Sequence, residues 1–157
     1  NLPPEAFKDT VALAEAGVLW SRAGRLMSDV NMMRSHSEVA KGYEHPERLS
    51  EALLRSYLEP VLGTEQRTKI FEKILMSVRG EDLMKLEPKL KALDVPVLIV
   101  WGTDDVFFSI EWAHWLQKTL PDVRAYHEIE GAKLFLPDEH AATFASYLDR
   151  FLKSLNS

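Results

Sequence analysis

The chain has 157 residues, of which 46% are hydrophobic and 27% charged, and its formal net charge is −5. These values are typical of a soluble globular protein with room for one ordinary core. The acidic balance, without a cluster of lysine and arginine, argues against a nucleic-acid partner. The absence of cysteine excludes disulfides and thiolate metal sites. No apolar run approaches the ~20 residues of a membrane helix, so we expect a cytoplasmic protein with no membrane partner.

The first part of the chain, residues 1–94, is predicted to be helical. A helix with prolines at its start is predicted over residues 1–29, because Phe7, Val11, Ala14 and Val18 recur at helical spacing. The next segment, NMMRSHSEVAKGYEHP, is polar and contains a glycine and a proline. Its composition predicts a loop with one short turn.

Three further helices are predicted to complete this part. The first covers residues 46–61. Thr64 is expected to cap the second, which Gly80 is expected to end. The third runs over residues 81–93 and is interrupted by Pro88.

The pattern changes at Val95. The run VPVLIVWG is continuously apolar, which is typical of a strand buried on both faces in a parallel sheet. An amphipathic helix with Ser109 as its N-cap follows, then a second strand, VRAYHEI, and a final helix over residues 138–155. The order strand, helix, strand, helix predicts an α/β fold in which a right-handed crossover joins two parallel strands.

Two strands are too few for a stable parallel sheet. We expect residues 97–101 and 123–129 to be neighbours, and we expect the other edge of residues 97–100 to need a further strand. The N-terminal half of the same fold or a second copy of the chain could supply it. Because the first residue is Asn1 and not Met, we expect the natural start to lie upstream or to have been processed.

Residues 95–135 resemble the C-terminal end of the α/β-hydrolase fold, in the branch of haloalkane dehalogenases, epoxide hydrolases and related esterases. The resemblance is specific over residues 95–151. It implies that residues 1–94 are a helical cap and that residues 95–157 are the last part of the hydrolase core. It also implies hydrolysis of a small apolar substrate, an ester, a halide or an epoxide, through a covalent intermediate and without a cofactor.

The family carries its catalytic acid in a Gly-x-x-Asp turn after the seventh strand. Gly102-Thr103-Asp104-Asp105 has this pattern, so the resemblance places Asp105 at the acid position. A carboxylate there holds the catalytic imidazole in the right tautomer and stabilises the imidazolium. Without the resemblance, both aspartates would be interpreted as ordinary turn and helix-start residues.

The family histidine follows the eighth strand in a Gly-x-x-His-aromatic segment. The chain has Gly131-Ala132-Lys133-Leu134-Phe135, so Leu134 replaces the histidine. Leucine cannot accept a proton, and a mechanism that needs a base at this position is lost. Four other histidines could replace this base, and we interpret them instead as surface or packing residues: His36, His114, His127 and His140.

The family nucleophile lies in a Gly-x-(Ser/Asp)-x-Gly elbow, and no two glycines of this chain are four apart. We therefore expect the chain alone to be inactive, with the elbow and oxyanion loop upstream of Asn1. A non-catalytic protein that uses the fold to bind a ligand or partner is the alternative.

The resemblance places three aromatic residues at the border of the pocket, and they are candidate substrate contacts: Trp101, Phe107 and Phe108. We predict no metal site, because no histidine and carboxylate spacing indicates one.

Overall fold

A computed structural model describes residues 7–77 and 85–156. The protein is mixed α/β, mostly helical, with two parallel strands. The chain divides into two compact units, Asn1–Gly80 and Glu81–Ser157. The predicted boundary at residue 94 lies within the second unit, just before its first strand, and the assignment of the two parts as cap and core stays a prediction.

The first unit is entirely helical in its described residues. Its elements are α1 (Lys8–Glu15), α2 (Leu19–Met27), α3 (Val30–His36), α4 (Glu38–Lys41), a 3₁₀ turn (Pro46–Arg48), α5 (Glu51–Leu62) and α6 (Glu65–Ser77). The most deeply buried large side chains are those of Met33, Tyr43 and Leu54. They come from α3, from the segment after α4 and from α5, so burial of apolar side chains links three parts of the unit.

The single helix predicted over residues 1–29 is wrong, because the helix is broken at residues 16–18, between α1 and α2. Gly17 adopts φ = +67°, which an L-residue with a side chain rarely adopts. The N–H of Val18 donates to Leu13 O over 3.0 Å, and that of Gly17 donates to Ala14 O over 3.0 Å. These two bonds satisfy the last carbonyls of α1 and end the helix.

The loop predicted over residues 31–46 is also wrong, since α3 and α4 occupy much of it. Asp29 caps α3 through Oδ1, which accepts from Asn31 N over 2.6 Å, and Ser37 caps α4. Met33 is fully buried on α3. Arg34 donates from Nη2 to Leu49 O over 2.6 Å and ties α3 to the chain before α5. Two caps and one buried anchor stabilise helices whose composition favours a loop.

The helix predicted over residues 46–61 begins later, at Glu51, whereas the predicted start of α6 agrees with the structure. Thr64 Oγ1 accepts from Arg67 N over 3.2 Å, which confirms Thr64 as the cap of α6. The predicted end of this helix at Gly80 and the start of the next at Glu81 lie outside the described residues. The next described helix, α7 (Glu87–Lys91), has Pro88 in its first turn, a position at which a helix tolerates proline.

The second unit continues with β1 (Val97–Gly102), α8 (Ile110–Thr119), β2 (Val123–Ile129), α9 (Leu136–Glu139) and α10 (Ala141–Ser154). β1 pairs with β2 in parallel, which confirms the predicted strands and their relation. Ser109 caps α8, as predicted: its hydroxyl accepts from Glu111 N over 3.3 Å. Within residues 7–77 and 85–156, these two strands form the whole sheet.

Helices cover both faces of the two strands. On one face, Ile99 of β1 packs with Ala113 of α8 and with Leu120. On the other face, a cluster centred on Ile129 packs against Phe144 and Tyr147 of α10. An apolar strand between two helical layers is the arrangement expected for a parallel sheet.

Candidate functional site

The turn after β1 and the loop after β2 are joined by hydrogen bonds. Thr103 N donates to Ile129 O over 3.1 Å, and Asp104 N donates to Ala132 O over 3.0 Å. Gly131 N donates to Thr103 Oγ1 over 2.9 Å. Because parallel strands end at the same edge of a sheet, these bonds hold the two loops together where ligands bind in open α/β sheets.

Two glycines allow the loops to approach so closely. A Cβ on Gly102 would overlap the carbonyl oxygen of Ala132 and lie 2.5 Å from its carbonyl carbon. Gly131 has φ = +76°, in the left-handed region that favours glycine. The sequence singled out both glycines as motif members. The structure gives a physical reason for each of them.

The two neighbouring aspartates have different environments. Asp105 is half-buried, and its Oδ1 accepts from Phe107 N over 2.8 Å and from Phe108 N over 3.1 Å. Asp104 is exposed, and its Oδ1 accepts from the Thr103 hydroxyl over 3.0 Å. Asp105 therefore fixes the segment that leads into α8, through one of its two oxygens, while Asp104 belongs to the contact between the two loops.

Leu134 lies in the loop after β2, two residues beyond the fully buried Ala132. Lys133 O accepts from Leu136 N over 3.0 Å, where α9 begins. The Leu134 side chain is 37% exposed, so it does not serve as a core residue. An exposed leucine stands where the resemblance expects a histidine.

Two of the four alternative histidines have contacts away from the turn at Asp105. The ring of His127 stacks on Tyr147 of α10, with 3.8 Å between ring centroids. His114 Nε2 lies 2.9 Å from Glu128 Oε1. These contacts agree with their interpretation as packing and surface residues.

The three predicted substrate contacts differ in exposure. Phe107 is buried, Trp101 is half-buried against the α8 cluster, and Phe108 is exposed. Trp101 Nε1 donates to Phe108 O over 2.9 Å, which fixes the backbone of Phe108 beside the end of β1. Of the three, Phe108 offers the largest fraction of its side chain to a ligand, and the substrate-contact role of all three stays a prediction.

Exposed apolar side chains recur around this edge of the sheet. They come from the segment after β1, from the first turn of α8 and from the loop after β2: Val106, Phe108, Trp112 and Leu134. Trp112 also makes an edge-to-face contact with Trp115, at 6.0 Å between centroids. A contiguous patch of exposed apolar side chains is typical of a binding surface, whereas single exposed ones are common on any protein.

A polar cluster on the α8 face of the sheet was not predicted. Glu128 Oε1 accepts from the Tyr126 hydroxyl over 2.6 Å and lies beside His114 of α8. The hydrogen bond from Tyr126, and then that from His114, lowers the pKa of Glu128. Burial, and then the bond to Glu128, raises the pKa of Tyr126. The i, i+2 spacing of Tyr126 and Glu128 predicts a shared strand face, but the approach of His114 depends on the tertiary fold.

The first unit has an open cleft of about 250 Å³ between α2, α5 and α6, which the sequence did not indicate. Trp20, Arg55 and Arg67 are among its lining residues. Arg55 is paired with Glu51 over 2.7 Å, and Arg67 Nη1 donates to Glu59 O over 3.2 Å. Both guanidinium groups are therefore already engaged within the unit.

Among the described residues, no group of three histidine or carboxylate side chains is placed to hold a metal ion. No helix in that part of the chain is long and apolar enough to cross a membrane. No protein-family model matches the chain, and no curated protein matches it significantly.

Proposed function

We propose that the chain is the cap and C-terminal core of an α/β-hydrolase-type protein for a small apolar substrate, an ester, a halide or an epoxide. Asp105 holds the acid position and Leu134 replaces the base. One observation carries this proposal: the Gly102–Asp105 turn is hydrogen-bonded to the loop that begins at Gly131, at the carboxyl ends of two adjacent parallel strands. This contact supports a shared site for the acid and base positions.

The chemistry of the two positions determines what the chain can do. A carboxylate at Asp105 would orient an imidazole and stabilise its protonated form. Leu134 offers neither a proton acceptor nor a donor. Residues 1–157 also contain no Gly-x-(Ser/Asp)-x-Gly elbow for a nucleophile. The chain alone therefore does not hydrolyse these substrates. If an aspartate nucleophile were supplied from elsewhere, loss of the base would leave its ester intermediate without an activated water.

A non-catalytic binding function is the second candidate. The exposed apolar side chains of Val106, Phe108, Trp112 and Leu134 favour it, because they replace a polar catalytic edge with one suited to an apolar ligand or partner. In this function, Asp105 keeps its structural role as the acceptor for Phe107 N and Phe108 N.

Turnover of a nitrophenyl ester, an epoxide and a haloalkane by the purified chain tests the proposal. We expect no turnover above buffer. Asp105→Asn and Asp104→Asn serve as a matched pair, because an asparagine Oδ1 can still accept the same backbone bonds while the charge is lost. Robust turnover that Asp105→Asn abolishes and Asp104→Asn retains would show that the chain has another base, and the proposal would be wrong.

The same preparation distinguishes the binding function. Quenching of tryptophan fluorescence by an apolar ligand, weakened at least severalfold by Phe108→Ser and by Leu134→Ser, would support it. Equal quenching in both variants and in the unmodified chain would count against a binding surface at this edge.

A further inference from the structure

The open cleft of the first unit is formed by three of its helices, α2, α5 and α6, and has a volume of about 250 Å³. Its lining residues on α2 are spaced four and three apart, as are those on α5, so each helix presents one face to the cleft: Trp20, Gly24 and Met27, then Arg55, Glu59 and Leu62. Arg67 of α6 lies at the third side. All of the lining residues lie between residues 20 and 67, so the cleft is formed entirely by the first unit.

Gly24 leaves the α2 side of the cleft open. It lies inside the helix, where glycine is less stable than alanine. A Cβ added to it would meet no atom within 4 Å beyond its own helix, so the space in front of it is empty. Trp20 lies one turn before this gap and Met27 one turn after it. A longer side chain at position 24 would therefore fill part of the cleft.

The two arginines of the cleft are engaged to different extents. Arg55 lies between two carboxylates: its Nε is 2.7 Å from Glu51 Oε1, and its Nη1 is 3.5 Å from Glu59 Oε1. Its Nη2 donates to Met27 O over 3.2 Å, so all three nitrogens have a partner. The Arg67 guanidinium makes a single bond, from Nη1 to Glu59 O over 3.2 Å, and has no carboxylate partner in the described part of the chain. Its Nε and Nη2 are therefore available to an acceptor.

Trp20 supplies a second group that can bind a ligand. Its side chain is 37% exposed, and its indole N–H has no acceptor among the residues that the structure describes. An indole offers a flat apolar face and one hydrogen-bond donor. The Nε and Nη2 groups of a guanidinium form a planar fork that matches the two oxygens of a carboxylate. A ligand that contacts both Trp20 and Arg67 in this way is planar, with an apolar end and an anionic end.

We propose that this cleft binds a small aromatic carboxylate, whose two oxygens accept from Nε and Nη2 of Arg67 and whose ring packs against Trp20. The cleft is smaller than the roughly 300–1,000 Å³ of sites for drug-sized ligands, so it admits a ligand with a single ring. The Glu59 carboxylate is paired with Arg55, which reduces its repulsion of the anion. The site does not depend on the proposed function, whose acid and base positions belong to the second unit.

Titration of the full chain with sodium benzoate tests the site, followed by the NMR signal of the Trp20 indole N–H. We expect a saturable shift of this signal at millimolar benzoate, and no shift with benzyl alcohol, which has the same ring but no charge. Arg67→Gln should weaken benzoate binding by about tenfold or more, because the charged fork is lost. Arg22→Gln is the matched control. It removes the same charge from an exposed position of α2 that does not line the cleft, and it should change the affinity by less than about twofold.

Gly24→Leu gives a second test that leaves both arginines in place. The leucine side chain should fill part of the cleft and weaken benzoate binding by about tenfold or more, with unchanged circular dichroism because leucine is a good helix former. This variant decides the matter if Arg67→Gln does not fold. The proposal is overturned if benzoate gives no saturable shift, if benzyl alcohol gives an equal one, or if Arg67→Gln weakens binding no more than Arg22→Gln. Benzoate binding by Gly24→Leu that is as tight as in the unmodified chain overturns it as well.

Discussion

Replacement of Gly102 by alanine tests how the two loops of the candidate site are held together. The added Cβ would overlap Ala132 O and lie 2.9 Å from Lys133 N, both of which are backbone atoms. A flexible side chain could move aside, but backbone atoms at a buried residue cannot move without shifting the loop. Ala132 is fully buried, so the loop after β2 must separate from the turn after β1.

The expected cost follows from the contacts that this separation breaks. Overpacking of a tight site costs about 1–3 kcal/mol. The separation also breaks two hydrogen bonds, from Asp104 N to Ala132 O and from Gly131 N to Thr103 Oγ1. The loss of each bond lowers the free energy of unfolding by about 0.5–1.5 kcal/mol. We therefore expect Gly102→Ala to lower the free energy of unfolding of the second unit by about 2–6 kcal/mol.

Gly24→Ala is the matched control, because Gly24 lies inside α2 and its added Cβ would meet no atom within 4 Å. It should stabilise the first unit by about 1 kcal/mol or less, from helix propensity alone. Urea unfolding followed by circular dichroism measures both variants, and hydrogen exchange of residues 123–135 measures the loop after β2 in Gly102→Ala. If Gly102→Ala unfolds at the same urea concentration as the unmodified chain, the two loops do not approach each other as closely as the structure shows.

Two further predictions concern the left-handed glycine in the first unit and the polar cluster in the second. Gly17→Ala should lower the free energy of unfolding by about 1 kcal/mol, because φ = +67° strains an alanine although its Cβ meets open space; a neutral result in urea unfolding would contradict this. Tyr126→Phe should raise the pKa of Glu128, because the hydrogen bond from Tyr126 is the largest cause of its lowering. Since the folded pKa is the lower one, the stabilisation from Glu128 is complete above its unfolded pKa of about 4.3 and is lost as the pH falls through the folded pKa. NMR titration of the Glu128 carboxyl group measures its pKa in the unmodified chain and in Tyr126→Phe. An unchanged pKa in the variant would show that the hydrogen bond from Tyr126 to Glu128 is absent in solution.

The two strands and α8 could be predicted because each has a strong local signal, whereas the helix predicted over residues 138–155 is divided at His140 into α9 and α10. VLIV is a continuous apolar run, and Ser109 precedes an amphipathic stretch. The helices over residues 31–41 could not be predicted from composition, because their stability comes from caps at Asp29 and Ser37 and from tertiary burial of Met33. The break at Gly17 was missed because apolar spacing continues across it, although an isolated glycine near a helix end is a signal for a C-cap.

For the candidate site, the sequence predicts which positions belong to it but not the contacts that those residues make. The spacing from Gly102 to Asp105 indicates a turn, but both aspartates favour turns, and the sequence cannot show which one bonds to Phe107 N and Phe108 N. The contact between Thr103 and Gly131 joins residues far apart in the chain. It depends on the parallel register of β1 and β2, which has no local signal.

The relation between Asp105 and position 134 is the central claim, and an introduced imidazole measures it most directly. In Leu134→His, a carboxylate within about 4–6 Å should raise the imidazole pKa by about one unit above its ordinary 6.5, because the negative charge favours the protonated ring. NMR titration should show that Asp105→Asn removes this rise and that Asp104→Asn does not, while an imidazole introduced by Lys133→His titrates near 6.5. Two results would contradict the assignment of Asp105 as the acid of this site. The imidazole of Leu134→His could have an ordinary pKa, or its pKa could fall with Asp104→Asn and not with Asp105→Asn.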